Sequence, residues 1–283
     1  MSQGRPPIST TTRLYGHFAH ATGQRPLPLA VLMNTLLDQR GVDALWVPLQ
    51  VPAEHFEVVV TGMRHLRDFA GFTVTMPHKV AAARLCDVLL PNAQACGAVN
   101  TVRIDPDGRL IGETFDGVGM VHAITTHRAI DATTRVLLVG AGGVGQAIGV
   151  ALALAGVGSL AITNRTQAKA DDLVEKVQRA APACAVETNA PFDPADFDIV
   201  INATSLGHGY GQGPLPIDVS RVSGTALVAE VVAVPEYTPL LQAAQARGLD
   251  IVRGMEMLTP QLEIGADFLG MTVPTSAASG GRA

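Results

Sequence analysis

Two residues able to move protons follow strand-like segments in the first half of the chain. Lys79 closes TVTMPHK (73–79), and Asp116 sits inside GETFDGVG (112–119). A lysine and an aspartate converging on one hydroxyl form a charge-coupled donor and acceptor, which oxidising an alcohol requires while a cofactor takes the hydride. Taken singly, each has a plainer explanation: an exposed lysine at a helix start, and an aspartate serving as an N-cap. The complementary feature is RVLLVGAGGVGQAIGVALALAG (135–156), which reads as strand, glycine-rich turn and helix. Gly140, Ala141, Gly142, Gly143, Val144 and Gly145 form the turn. Its missing side chains let backbone N–H groups approach a pyrophosphate at the positive end of the helix. The next strand runs into ITNRTQAK (162–169), where an NAD site usually carries an acidic residue for the ribose 2′-hydroxyl. Here stand Asn164, Arg165, Thr166 and Lys169. Two cations and no carboxylate suit a 2′-phosphate, so NADP is expected ahead of NAD, with ordinary solvated surface charge as the plainer alternative.

These groups need elements to position them. RLYGHF (13–18), DALWVPLQV (43–51) and GFTVTM (71–76) read as strands, with helices over 28–40 and 54–69 between them. Strands alternating with helices of that length predict a parallel α/β sheet. VNTVRI and RLIGET flank DPDG (105–108), a strong turn signal that predicts a hairpin. A helix over 116–128 leads to a second series of buried strands at 135–140, 159–163, 197–204, 226–232 and 250–254. Segments between them, such as 166–181, have helical periodicity, giving a doubly wound nucleotide-binding architecture. A last helix over 256–269 precedes a small, polar tail expected to be disordered.

Composition narrows the function classes. Charged residues make up 16% of the 283, the net charge is −5, and Lys and Arg are scattered, so no basic face for nucleic acid is expected. The apolar run 148–157 is too short to cross a bilayer, and MSQGRPPISTTTR lacks the apolar stretch of a secretory signal, which predicts a cytoplasmic protein. Cys86, Cys96 and Cys184 lack metal-type spacing, and three thiols cannot all pair. Among the eight histidines, His17 and His20 read as loop residues and His122 and His127 are five apart. No metal is expected.

The ordered set of motifs resembles the shikimate and quinate dehydrogenase family. FTVTMPHK looks like that family's N-V-T-x-P-x-K segment, CGAVNT (96–101) its G-A-x-N-T segment, and GETFDGVG its G-x-N-T-D-G-x-G segment. GAGGVG, NRTQAK, NATSLG (202–207) and GMEMLTPQ (254–261) follow in the family's order. The resemblance implies an N-terminal α/β substrate domain (1–117), a Rossmann NADP-binding domain (118–253), and a C-terminal helix (within 254–283) returning to the substrate domain. It implies Lys79 as acid/base with Asp116 as its partner, and Thr75, Asn100 and Gln261 as hydrogen-bonding groups for the substrate. Ala203, Thr204, Ser205, Val231, Gly254 and Met257 are implied cofactor contacts, with Thr204, Gly254 and Met257 lining the nicotinamide pocket.

Departures from the family pattern fall around the substrate. Its S-x-S-P entry loop, with two carboxylate-binding serines, corresponds to Gly23, Gln24, Arg25 and Pro26, where Arg25 is expected to act as a guanidinium clamp. Thr73 stands for the motif's Asn, and Phe115 for the Thr before the aspartate, which is expected to narrow or dry the pocket. Ala233 stands for a frequent tyrosine. The expectation is an NADP-dependent oxidoreductase, monomeric or homodimeric, interconverting a ring hydroxyl and ketone of a small cyclic hydroxy acid of the shikimate type. One alternative is the same chemistry on quinate or a substituted, for example amino, ring acid, with NAD possible. A second is a non-catalytic dinucleotide sensor, against which the presence of both Lys79 and Asp116 argues.

Overall fold

The computed structural model describes residues 6–19, 29–188, 190–208 and 215–271. It contains two six-stranded sheets. The first is built from β1 (Arg13–Ala19), β2 (Ala44–Gln50), β3 (Phe69–Val74), β4 (Val88–Leu89), β5 (Thr101–Ile104) and β6 (Leu110–Glu113), in the order β2-β1-β3-β5-β6-β4. Its first three strands run parallel, and β3, β5 and β6 pair antiparallel. Period-two alternation separates its faces. Phe18, Phe72 and Val74 pack on one side with Phe56 of α2 (Phe56–Met63) and Ala82 of α3 (Lys79–Leu85). Tyr15 and Trp46 pack on the other with Leu29, Met33 and Leu37 of α1 (Leu29–Arg40) and Ala266 of α9 (Gly254–Phe268).

The second sheet comprises β7 (Arg135–Val139), β8 (Ser159–Thr163), β9 (Ala185–Thr188), β10 (Ile199–Asn202), β11 (Leu227–Glu230) and β12 (Asp250–Val252), all parallel, in the order β12-β11-β10-β7-β8-β9. The order reverses between β7 and β10, and ligands of open α/β sheets bind beyond the strand ends at such a switch point. Here α6 (Gly143–Leu154) starts just after β7. Apart from the edge strand β9, its strands are largely apolar because both faces are covered, with α7 (Gln167–Ala180) and α8 (Pro239–Ala246) among the covering helices.

Helices join the two halves, α5 (Asp116–Thr125) most closely. It packs against both α6 and α9. The approach is close enough that a Cβ on Gly117 would stand 2.2 Å from the Ala147 carbonyl oxygen, and one on Gly119 2.5 Å from that of Met257. Among the described residues, no helix is long and apolar enough to cross a membrane.

The structure shortens several expected elements. The helix expected to reach Phe69 ends at Met63, because Phe69 and Ala70 are buried strand residues and Phe69 stacks on Phe72 at 6.2 Å. The strands expected over 197–204 and 226–232 stop at Asn202 and Glu230, leaving Ala203 and the residues after it as loop. β4, β9 and α4 (Pro91–Cys96) are not foreseen, and α3 only as a helix start at Lys79, since pieces of two to seven residues carry too little periodicity to declare themselves.

Candidate active site

β3 ends just before Thr75, and after a short turn Lys79 becomes the first residue of α3. β6 ends at Glu113, and Asp116 opens α5. Both side chains are buried, each residue 5% exposed, and Lys79 Nζ donates to Asp116 Oδ2. The other carboxylate oxygen accepts from Asn100 Nδ2 at 3.0 Å. Asn100 is itself held, its Oδ1 accepting from Thr101 Oγ1 at 2.9 Å and from the Phe115 N–H at 3.1 Å. This fixes which end of the amide faces Asp116, so Asn100 orients the carboxylate as well as lining the cavity beside it. The plainer readings of the pair fail. Lys79 is not exposed, and the N-cap of α5 is Phe115, with no side-chain cap. Two charges this dry are retained only when paired and hydrogen-bonded.

The pair faces a cavity of about 120 Å³ roofed by α1 and α9. Thr75, Lys79, Asn100, Asp116 and Gln261, far apart in sequence, all line it, with Met33, Trp46 and Leu262 among its apolar walls. Arg25 and the loop around it lie outside the described residues. Phe115 does not line the cavity, contrary to expectation; its ring is buried edge-on against Phe268 at 5.6 Å. A further lining residue was set aside at the sequence level. His17 lies in β1, as the strand reading of 13–18 has it and against its reading as a loop histidine, with Nδ1 2.8 Å from Thr73 Oγ1. Burial, then the charges of Lys79 and His78, push its pKa down to about 4, so the imidazole is neutral at pH 7. The signal was available in the strand pattern, which puts Tyr15 and His17 on one face.

The glycine turn has the shape that a diphosphate needs. Gly140 adopts φ +110°, and a Cβ there would meet the Ala203 backbone at 2.9 Å. A Cβ on Gly145 would come within 2.0 Å of the Gly140 carbonyl oxygen, so this glycine sets the helix against the strand. At Gly142, by contrast, a Cβ would meet nothing within 4 Å, leaving open space at the N-terminus of α6. Val144 is half-buried against the core. The Ala141 N–H is already committed, donating to Asn164 Oδ1 at 3.0 Å, while Asn164 Nδ2 donates to the Thr166 carbonyl at 2.8 Å. Asn164 therefore braces the turn. Arg165, Thr166 and Lys169 are exposed beyond it, and neither cation has an ion-pair partner among the described residues. The turn also reaches the Lys79–Asp116 pair: a Cβ on Gly143 would stand 3.7 Å from Lys79 Cδ and 3.6 Å from Met76 Sδ.

Sequence reasoning missed the support beneath the loop that carries Ala203, Thr204 and Ser205. Asn202 Oδ1 accepts from the Thr204 N–H and Oγ1 at 3.0 and 2.7 Å. Its Nδ2 donates to both oxygens of Glu230, each at 3.0 Å. Glu230 is fully buried, which pushes its pKa up, and also accepts from the Val232 N–H and Thr238 Oγ1 at 3.0 and 3.1 Å. Val231 N–H donates to the Asn202 carbonyl at 3.1 Å. A glutamate within the apolar run ALVAEVV was the readable sign. Gly254 abuts the Val232 carbonyl, where a Cβ would stand at 2.4 Å, and Met257 is buried in the core next to α5.

A buried lysine–aspartate pair set between a cavity lined by polar side chains and a dinucleotide-type glycine turn defines an NAD(P)-dependent dehydrogenase acting on a CH–OH group. Residues 30–102 match the family model for the shikimate dehydrogenase substrate binding domain, and residues 125–209 match that for shikimate / quinate 5-dehydrogenase. The chain is 36% identical over 266 residues to the shikimate dehydrogenase (NADP(+)) of Acidiphilium cryptum (strain JF-5), covering 94% of this chain and 93% of that one. Among solved structures it is similar to a shikimate dehydrogenase in complex with NADP+ (TM-score 0.85, 26% identity, 94% and 92% of the two chains). It is also similar to the ligand-free 5-ketofructose reductase of Gluconobacter sp. strain CHM43 (TM-score 0.82, 31% identity, 92% and 94%). The chain belongs to the shikimate dehydrogenase family.

Proposed function

We propose that the protein interconverts a ring hydroxyl and ketone of a shikimate-type hydroxy acid, 3-dehydroshikimate and shikimate being the type pair, with NADP as cofactor in the cytoplasm. In this reading residues 1–117 and 254–283 hold the substrate and 118–253 the cofactor. The observation that carries it is Gly143 packed beside Lys79, which brings the cofactor turn to a buried acid/base pair. NADP, when bound, supplies or accepts the hydride. The open edge at Gly142 would take its diphosphate, and Arg165, Thr166 and Lys169 its 2′-phosphate, each charge-assisted hydrogen bond contributing about 1.5–3 kcal/mol. Thr204, Gly254 and Met257 would bound the nicotinamide end. In the reducing direction Lys79 donates a proton to the ketone oxygen as charge develops there, and Asp116 holds the lysine in place. In oxidation Lys79 takes the hydroxyl proton back. Thr75, Asn100 and Gln261 orient the ring, and the buried setting of the pair strengthens each of these contacts.

A second reading, an uncharged ketose in place of a ring acid, has one observation in its favour. Lys79, the one lysine or arginine among the described lining residues, is already paired with Asp116, and His17 is neutral, which leaves no described cation for a substrate carboxylate. Steady-state kinetics with NADPH decides. Efficient turnover of 3-dehydroshikimate supports the ring-acid reading; reduction of 5-ketofructose with 3-dehydroshikimate inert replaces it with the ketose reading.

A further inference from the structure

We infer that His17 and Thr73 form a specificity pair that recognises an uncharged hydroxyl of the substrate, distinct from the hydroxyl that reacts at Lys79 and Asp116. The inference rests on the proposed dehydrogenase activity and names a determinant of its selectivity. His17 and Thr73 are register partners on the parallel strands β1 and β3, so both side chains leave the sheet on the same face, into the same cavity. Thr75 follows Thr73 at the spacing that keeps it on that face, and Thr101, the antiparallel partner of Thr73, lines the cavity as well. The pair therefore stands in the same wall as the groups expected to hold the substrate.

Its hydrogen-bonding capacity is specific. The Nδ1···Oγ1 contact at 2.8 Å occupies one ring nitrogen, and Nε2 has no hydrogen-bond partner among the described residues. A neutral imidazole carries one proton. When that proton is on Nδ1, Thr73 accepts it and Nε2 is an acceptor. When Thr73 donates to Nδ1, the proton is on Nε2, which becomes a donor. A hydroxyl, both donor and acceptor, satisfies either arrangement. A carboxylate satisfies only one, and gains no charge partner from an imidazole held neutral by burial beside the Lys79 ammonium. The same wall offers a further donor, the buried indole Nε1 of Trp46, which has no partner among the described residues.

The test couples protein variants to substrate analogues. Wild type, His17→Ala, His17→Asn, Thr73→Val and Thr73→Ser are assayed with NADP+ on shikimate and on analogues each lacking one hydroxyl, with NADP Kd and melting temperature measured in parallel. His17→Ala is expected to raise KM for shikimate about 10- to 100-fold with kcat changed less than about threefold, as for loss of an uncharged contact. Thr73→Val should act in the same direction, and Thr73→Ser and His17→Asn should recover much of the loss. For one deoxy analogue the wild-type and His17→Ala values of kcat/KM should coincide, because the missing hydroxyl and the missing imidazole are the two halves of one contact. An equal His17→Ala penalty on every analogue, or a fall in kcat with KM unchanged, overturns the pair as a specificity element while leaving the activity standing. Absence of wild-type turnover on shikimate refutes the ring-acid reading and withdraws this inference with it.

Discussion

Removing Lys79 should separate catalysis from stability in a way that the geometry of the pair dictates. Lys79→Ala deletes the proton donor, and loss of a positioned acid/base lowers kcat by roughly 10²–10⁴. At about 1.36 kcal/mol per factor of ten, this is about 2.7–5.4 kcal/mol of transition-state stabilisation. The same change strands Asp116, which is 5% exposed and keeps Asn100 Nδ2 as its remaining side-chain donor. Breaking a buried pair on one side costs about 3–5 kcal/mol, which for a chain of this size lowers Tm by roughly 6–20 °C. Lys79→Met combined with Asp116→Leu leaves no buried charge, so its loss should fall to the roughly 1–3 kcal/mol of an unmatched Asn100 donor. Activity should be as low in the double variant as in the single one. Asp116→Asn should lower kcat similarly with the fold intact. Stopped-flow or steady-state NADPH turnover gives the rates, calorimetry or denaturant melts give the stabilities, and titration of NADP should show affinity within about threefold of wild type throughout. A Lys79→Ala protein turning over at the wild-type rate would refute the assignment. Equal stability losses in the single and double variants would refute the buried-charge argument.

Three further outcomes follow from the cofactor turn and from His17. Arg165→Ala should weaken NADP by about 1.5–3 kcal/mol, roughly 10- to 150-fold, and leave NAD nearly unaffected; isothermal titration showing equal losses for both would exclude a 2′-phosphate contact. Gly142→Ala should leave Tm within about 1 °C, since a Cβ there meets nothing, yet raise the NADP Kd, whereas Gly145→Ala should lower Tm by driving its Cβ into the Gly140 carbonyl. Unchanged NADP binding by Gly142→Ala would move the diphosphate elsewhere. His17, with its pKa lowered from 6.5 to about 4, binds fewer protons folded than unfolded between those values. Its contribution is therefore complete above pH 6.5 and is lost as pH falls toward 4, on the order of 3–4 kcal/mol in all. Urea melts at pH 7.5 and 4.5 should show this slope in wild type and its reduction in His17→Asn; equal slopes would contradict a buried neutral imidazole.

What the sequence made legible depended on how locally each feature is encoded. The turn around Gly140 declares itself because strand, glycines and helix lie within about twenty residues, and Lys79 and Asp116 each stand in a recognisable segment. The cavity is different in kind. Gln261 meets Thr75 across 186 positions (261 − 75), and only the shared face of the first sheet and the return of α9 bring them together. The motif places Asn164 at the cofactor turn, but position within it says nothing of the Ala141 N–H that its amide also holds. Phe115 was expected in the pocket, but a residue one place before Asp116 on a helix start faces elsewhere, and Phe268, distant in sequence, supplies its cover. Glu230 shows the reverse: the oddity is visible, yet its four hydrogen bonds come from three donors, Asn202, Val232 and Thr238, and cannot be counted from one strand.

The double clamp on α5 has a mechanical consequence. This helix begins at Asp116, and its glycines press it against α6 on one side and α9 on the other at near-backbone contact. Were one sheet to rotate against the other, each atom would move in proportion to its distance from the axis, and a seam this closely packed would resist sliding and draw the axis toward α5. The Lys79–Asp116 pair would then sit near the still point of the movement, while the outer strands β2 and β9 would sweep longer arcs. Such a rotation would widen the cleft with little change in the spacing of Lys79, Asp116 and the Gly143 turn. That spacing has little room to drift, because a displacement of ~1 Å at reacting groups costs on the order of 10²-fold in rate.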